Sequence, residues 1–132
     1  FGYDEDLTLE NKRGPCPVGW HIPNNSEWSN LMNYTGSESN ATFIKATYGW
    51  ANENNGIDKY GFSALPSGAA KALTDGTGYY FENCDSVAKF WTSSIDIYAV
   101  VYYWYLSADS EEFQNSKCNT LHGYSIRCLK DE

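Results

Sequence analysis

The chain has 132 residues and a formal charge of −8, from 17 Asp and Glu against 9 Lys and Arg. That length closes one hydrophobic core, and the charge excludes a phosphate-backbone partner and docking on anionic membranes, both of which require a basic surface. With 11 Tyr, 5 Trp and 6 Phe, some rings are expected outside the core, as rigid contact area.

Residues 1–14 read as an irregular acidic lead-in with one strand near Leu7 and Leu9, and residues 15–132 as a single domain. The chain begins at Phe1 and its single methionine is Met32, so a preceding segment is expected. Gly14-Pro15-Cys16-Pro17 forbids a helix, because proline lacks the donor and extends the residue before it. A first helix starts after Pro23, with Asn24 and Glu27 spaced as a capping box and Trp28, Leu31 and Met32 on one stripe. A second, short helix over 41–47 turns Phe43, Ile44 and Thr47 inward, and Tyr48-Gly49-Trp50 ends it. The polar stretch 51–60 reads as a surface loop.

Strands follow. Residues 61–66 are extended and lead into a small-residue loop, and 79–81 and 89–93 read as strands. Residues 99–106 (Ala-Val-Val-Tyr-Tyr-Trp-Tyr-Leu) form the strongest strand, bulky and β-branched. Another lies near 112–115, and 124–129 alternates with Tyr124, Ile126 and Cys128 on one face. Two early helices followed by short antiparallel strands make an α+β domain.

Cys16, Cys84, Cys118 and Cys128 allow three pairings. An even count in a small acidic domain favours disulfides, hence a secreted or cell-surface location. No close cysteine pair exists and the only histidines are His21 and His122, so a zinc site is not expected. Glu53, Asn54, Asn55 and Asp58 offer oxygens to a hard cation but read as a solvated loop. Glu111 and Glu112 are adjacent on a strand, point to opposite faces, and so cannot act as an acid–base pair. A Cys118–His122 nucleophile needs a free thiol. No catalytic residue, metal or cofactor is assigned.

The recognition reading rests on residues 95–122. If Val101, Tyr103 and Tyr105 fill the core, Tyr102 and Trp104 emerge; the opposite assignment is nearly as good. Tyr98, Asp109, Glu111, Phe113, Asn115, Asn119 and Thr120 are exposed candidates around them, aromatic anchors with polar neighbours. Ile95, Ile97, Tyr98 and Phe113 sit in turn-like surroundings that a core role explains poorly.

Several motifs occur in order: Cys16-Pro-Val-Gly-Trp20-His-Ile-Pro23, Glu27-Trp28 with Leu31, Gly49-Trp50, Gly61-Phe-Ser-Ala-Leu-Pro66, Phe90-Trp-Thr-Ser-Ser94 and Gly123-Tyr-Ser-Ile-Arg-Cys128. Together they resemble the Fibrobacter succinogenes major paralogous domain, a family of secreted bacterial modules, over about residues 15–130. The resemblance implies a C-type-lectin-like fold, two short helices packed on small antiparallel sheets, related to formylglycine-generating enzymes. It implies that Trp20, Trp28, Trp50, Phe62, Phe90 and Trp91 are core and that Gly61 and Gly123 meet backbone requirements. In several members the segment corresponding to 95–122 is diversified by retroelements at ligand-contacting positions. By analogy with long-form C-type lectins, Cys16 pairs with Cys128 and Cys84 with Cys118. The lectin calcium site is not matched, since Trp91 is followed by Thr92-Ser93-Ser94, and neither is the cysteine pair of the formylglycine-generating enzymes. The expectation is a non-catalytic, adhesin-like binding module for a protein or glycan. The alternative is a structural module whose aromatic patch packs on a neighbour.

Overall fold

The computed structural model describes residues 13–36 and 40–132; the strand expected near Leu7 and most of the lead-in lie outside them. The elements in order are β1 (Trp20–His21), α1 (Asn25–Thr35), α2 (Ala41–Ile44), β2 (Ala69–Ala72), β3 (Tyr79–Glu82), β4 (Val87–Ile95), β5 (Val101–Ser107), β6 (Gln114–Cys118), β7 (His122–Gly123) and β8 (Leu129–Lys130). The strands form three small antiparallel sheets, ordered β1-β8, β3-β2-β7 and β4-β5-β6, so the domain is α+β.

The capping box is present: Asn24 Oδ1 accepts from the Glu27 N–H and Glu27 Oε2 accepts from the Asn24 N–H, each at 2.8 Å. Gly36 ends α1 in the left-handed region, φ 108°, with its N–H on the Asn33 carbonyl. The expected stripe faces inward, Trp28 buried and Leu31 and Met32 packed on the core. At its N-terminus α1 is tied to the main sheet: Ser94 Oγ accepts from the Asn25 N–H at 2.9 Å and Asn25 Oδ1 accepts from the Trp104 indole N–H at 2.8 Å.

Helix α2 is shorter than expected and Thr47 is exposed. Lys45 already has extended backbone, because it bridges Ala64 and buries its chain, with Nζ donating to the Ser110 carbonyl at 3.0 Å and lying 4.8 Å over the Trp50 ring. Burial pushes the Lys45 ammonium below its ordinary pKa. A 3-10 turn at Ala51–Glu53 opens the loop that follows.

The core is aromatic. Trp28 lies 5.4 Å from Phe90 and 5.9 Å from Phe113, and Trp104 lies 4.8 Å from Phe113. Trp50 and Trp91 are buried as expected and Phe62 is half-buried, but Trp20 is 38% exposed because β1 is a two-residue strand pairing only with β8. Gly61 does adopt positive φ, 70°, and a Cβ on Gly123 would come within 3.1 Å of the Ala70 Cβ.

Two strand expectations change. The small-residue loop contains β2, whose alanines pair with β3 on one side and β7 on the other. Residues 124–129 are not one strand, because their backbone partners lie in different sheets: Ser125 bonds the backbones of Lys89 and Trp91, and only Leu129–Lys130 reaches β1. One disulfide, Cys16–Cys128, joins the two ends of the domain across 112 residues. The expected Cys84–Cys118 bridge is absent. Cys84 is an exposed free thiol whose Sγ lies 3.9 Å from the Ser67 carbonyl, and Cys118 is a half-buried free thiol hydrogen-bonded to Tyr124.

Candidate functional site

Strand alternation divides the rings of β4 and β5 between two faces. Phe90 pairs with Trp104 and Ala88 with Leu106, all on the core side. Trp91 pairs with Tyr103 and Lys89 with Tyr105 on the opposite side. Tyr124, carried beside β4 by the Ser125 bonds, closes over this outer face at 4.5 Å from Trp91 and 4.8 Å from Tyr103. Tyr105 lies 5.8 Å from Tyr103, with its hydroxyl hydrogen-bonded to Gln114. The Lys89 ammonium sits 5.6 and 5.1 Å from the Tyr103 and Tyr124 ring centroids. His122 stacks on Tyr124, 6.0 Å away and 4° from parallel. Across β2 the surface continues through the Lys71–Glu82 ion pair (2.8 Å) to the 45% exposed Tyr80.

Burial dominates the titration of this face. It lowers the Lys89 pKa, pushes the Cys118 thiol up and, with the Cys118 hydrogen bond, drives the Tyr124 phenol far above its ordinary value. The phenol and thiol are therefore held protonated at neutral pH. They offer hydrogen bonds and ring surface rather than a nucleophile.

The β4–β5 hairpin ends in a tightly bonded tip. Asp96 exchanges backbone bonds with Val100 and Ala99, and its Oδ1 accepts from the Tyr98 and Val100 N–H groups at 2.9 and 3.0 Å. Its Oδ2 takes the Lys117 ammonium at 3.2 Å, and these bonds hold the carboxyl below its usual pKa. Ala99 stands at φ 59°. On this frame Ile97 is 90% and Tyr98 79% exposed. The β5–β6 register, Val101 opposite Cys118, brings Asn119 and the exposed Leu121 to the same end, and Lys117 lies 4.9 Å over the Tyr102 ring.

The family description Fibrobacter succinogenes major domain matches residues 6–130, nearly the whole chain. The chain belongs to the Fibrobacter succinogenes major domain family. No curated protein and no solved structure matches it.

In this family member the anticipated site residues do not form one cluster. Tyr98, Tyr102 and Asn119 share the tip end of the main sheet. Asp109 and Glu111 lie at the opposite end, where the Glu111 carbonyl accepts from the Ala41 N–H and its carboxylate from the Thr42 hydroxyl. Asn115 is exposed near the start of the edge strand β6. Trp104 and Phe113, expected outside, are each only 2% exposed and belong to the core. The parity alternative that turns Tyr103 and Tyr105 outward is the one adopted, with Tyr102 on the Trp104 side. Residue-level reading missed Lys89, which β4 sets opposite Tyr105, and Tyr124, which reaches the face through a pairing with no local signal, Ser125 beside β4. Ile97 carried a signal, an apolar residue among turn formers.

Two of the four loop residues have internal partners: Asp58 accepts from the Ser63 N–H and hydroxyl, and Asn55 from the Trp50 N–H. His21 is held between two carboxylates, Nδ1 2.6 Å from Asp131 and Nε2 3.0 Å from Glu27, which locks β8 against the start of α1.

Proposed function

We propose that this family member is a non-catalytic recognition module of the cell surface or secreted space, with a C-type-lectin-like fold. Its ligand, a protein or glycan, is held by the hairpin tip and the adjoining tyrosine face. The observation that carries the reading is the tip: two bulky residues, Ile97 and Tyr98, almost fully exposed on a turn that Asp96 pre-organises. A rigid aromatic anchor loses little entropy when it docks. Tyr103, Tyr105 and Tyr124 extend the contact area, with the Lys89 cation against the Tyr103 and Tyr124 rings and the Lys117 cation against that of Tyr102. The long-range disulfide suits an oxidising compartment, and diversification confined to the exposed tip residues of the 95–122 window would leave the buried Trp104 and Phe113 of that window unchanged.

The test is a screen of the purified, oxidised chain on glycan and surface-protein arrays, with Tyr98→Ala, Tyr103→Ala and Tyr105→Ala alongside. A hit weakened by Tyr98→Ala with folding intact supports the reading; a hit indifferent to all three overturns it. A second reading, a structural module packing on a neighbouring domain, is favoured by β3. This edge strand leaves Tyr79, Tyr80 and Phe81 63%, 45% and 75% exposed.

A further inference from the structure

Away from the tyrosine face, a hollow of about 270 Å³ opens between α1 and the last strand, walled by Trp28, Leu31, Phe62 and Leu129. Its size is at the lower end of ligand pockets, suited to one ring or a short chain. Two polar groups on its lining lack a partner of matching chemistry. The Arg127 guanidinium lies 4.4 Å over the Phe62 ring and enters no ion pair among the described residues. The indole N–H of Trp28, a residue 98% buried by its 2% exposure, has no hydrogen-bond acceptor among the described residues. Arg127 is exposed to solvent, whereas the Trp28 indole N–H is a buried donor.

The acidic group on the same wall is already satisfied. Glu27 Oε1 and Oε2 lie 3.0 and 3.1 Å from His21 Nε2, and Oε2 also accepts from the Asn24 N–H at 2.8 Å. The hydrogen bonds that the Asp58 carboxylate accepts from Ser63, and after them the charge of Arg127, hold its carboxyl below its usual pKa. The hollow therefore combines apolar walls, a filled acceptor and an exposed planar cation that enters no ion pair among the described residues, the group best matched to a carboxylate.

We propose that this hollow binds a small apolar carboxylate, its ring or short chain against Trp28, Leu31 and Phe62 and its carboxylate on Arg127. The site shares no residue with the tyrosine face, and its occupancy is independent of recognition there. A hydrocarbon alone would gain nothing from the charge of Arg127, and an amine would meet Arg127 with like charge.

The experiment is a titration of the intact, oxidised, ¹⁵N-labelled chain with phenylacetate, 2-phenylethanol and phenethylamine, followed by amide and indole N–H shifts. Phenylacetate is expected to shift the Trp28 indole resonance saturably and to bind at least about tenfold tighter than the alcohol, with the amine weaker still. Arg127→Gln should abolish the preference for the acid, and Arg127→Lys should retain part of it. Leu129→Glu, at a wall residue 41% exposed and so tolerant of charge, should also lose the acid. Near-UV circular dichroism verifies that each variant is folded. Equal affinity for acid and alcohol, an unchanged acid affinity in folded Arg127→Gln, or no saturable shift up to about 10 mM each overturns the proposal.

Discussion

Replacing Cys16 and Cys128 with serine tests the largest single covalent contribution to this fold. The bond joins residues 112 apart, and in the chain-entropy model opening such a loop costs about 4.8 kcal/mol. A domain of 132 residues has a total stability of roughly 7–20 kcal/mol, so the loss is between a quarter and most of it. With an unfolding entropy of roughly 2.1 cal/mol/K per residue, Tm should fall by about 17 °C. Calorimetry and urea titration of the double variant measure this, and reduction of the wild type at the same pH provides the same comparison without a new hydroxyl at the buried Cys16. Cys84→Ser/Cys118→Ser is the control, expected to change stability by less than about 1 kcal/mol because neither thiol cross-links. A thiol-reactive dye on native protein should label Cys84 quickly and Cys118 slowly, since Cys118 is half-buried with its pKa raised by burial. A native chain with no titratable thiol, or a Cys16/Cys128 double variant within about 1 kcal/mol of wild type, would refute the assignment.

Three further outcomes are expected. Burial alone would lower the His21 pKa, but the hydrogen bonds and charges of Asp131 and Glu27 outweigh it and leave it raised above 6.5. Its stabilising contribution is thus full below pH 6.5 and declines as pH rises through the raised value. Urea midpoints from pH 5 to 9 should show that decline in wild type and not in His21→Gln, and parallel profiles would contradict it. Trp104→Ala and Phe113→Ala should each cost roughly 3–5 kcal/mol through cavity formation, whereas Tyr98→Ala should stay within about 0.5 kcal/mol, read as thermal shifts. Asp96→Ala should remove the hydrogen-exchange protection of the Tyr98 and Val100 amides, which Asp96 Oδ1 bonds, while core amides keep theirs; unchanged tip protection would argue against a pre-organised hairpin.

Much of the architecture was written in local signals. Asn24 and Glu27 encode the start of α1 because a capping box needs only four consecutive residues. Trp28, Leu31 and Met32 encode its buried face through helical spacing, and the bulky run 99–106 marks β5, observed over Val101–Ser107. The ordered motifs encode the family, matched over 6–130. Strand parity, by contrast, is two-fold ambiguous when both faces of a strand carry rings. Tertiary packing alone turned Trp104 inward, where Asn25 accepts its indole N–H, and Tyr103 and Tyr105 outward, Tyr103 beneath Tyr124. The same holds for the cysteines: their number allows a second bridge, but Cys118 lies on an edge strand bonded to Tyr124 and Cys84 sits beside the Ser67 carbonyl. The division of 124–129 between two sheets, the closure of Tyr124 over Lys89 and the hollow below Arg127 all depend on backbone pairings between residues distant in sequence. Such pairings leave no periodic trace in the chain, because each is fixed by the packing of the whole domain and not by its neighbours.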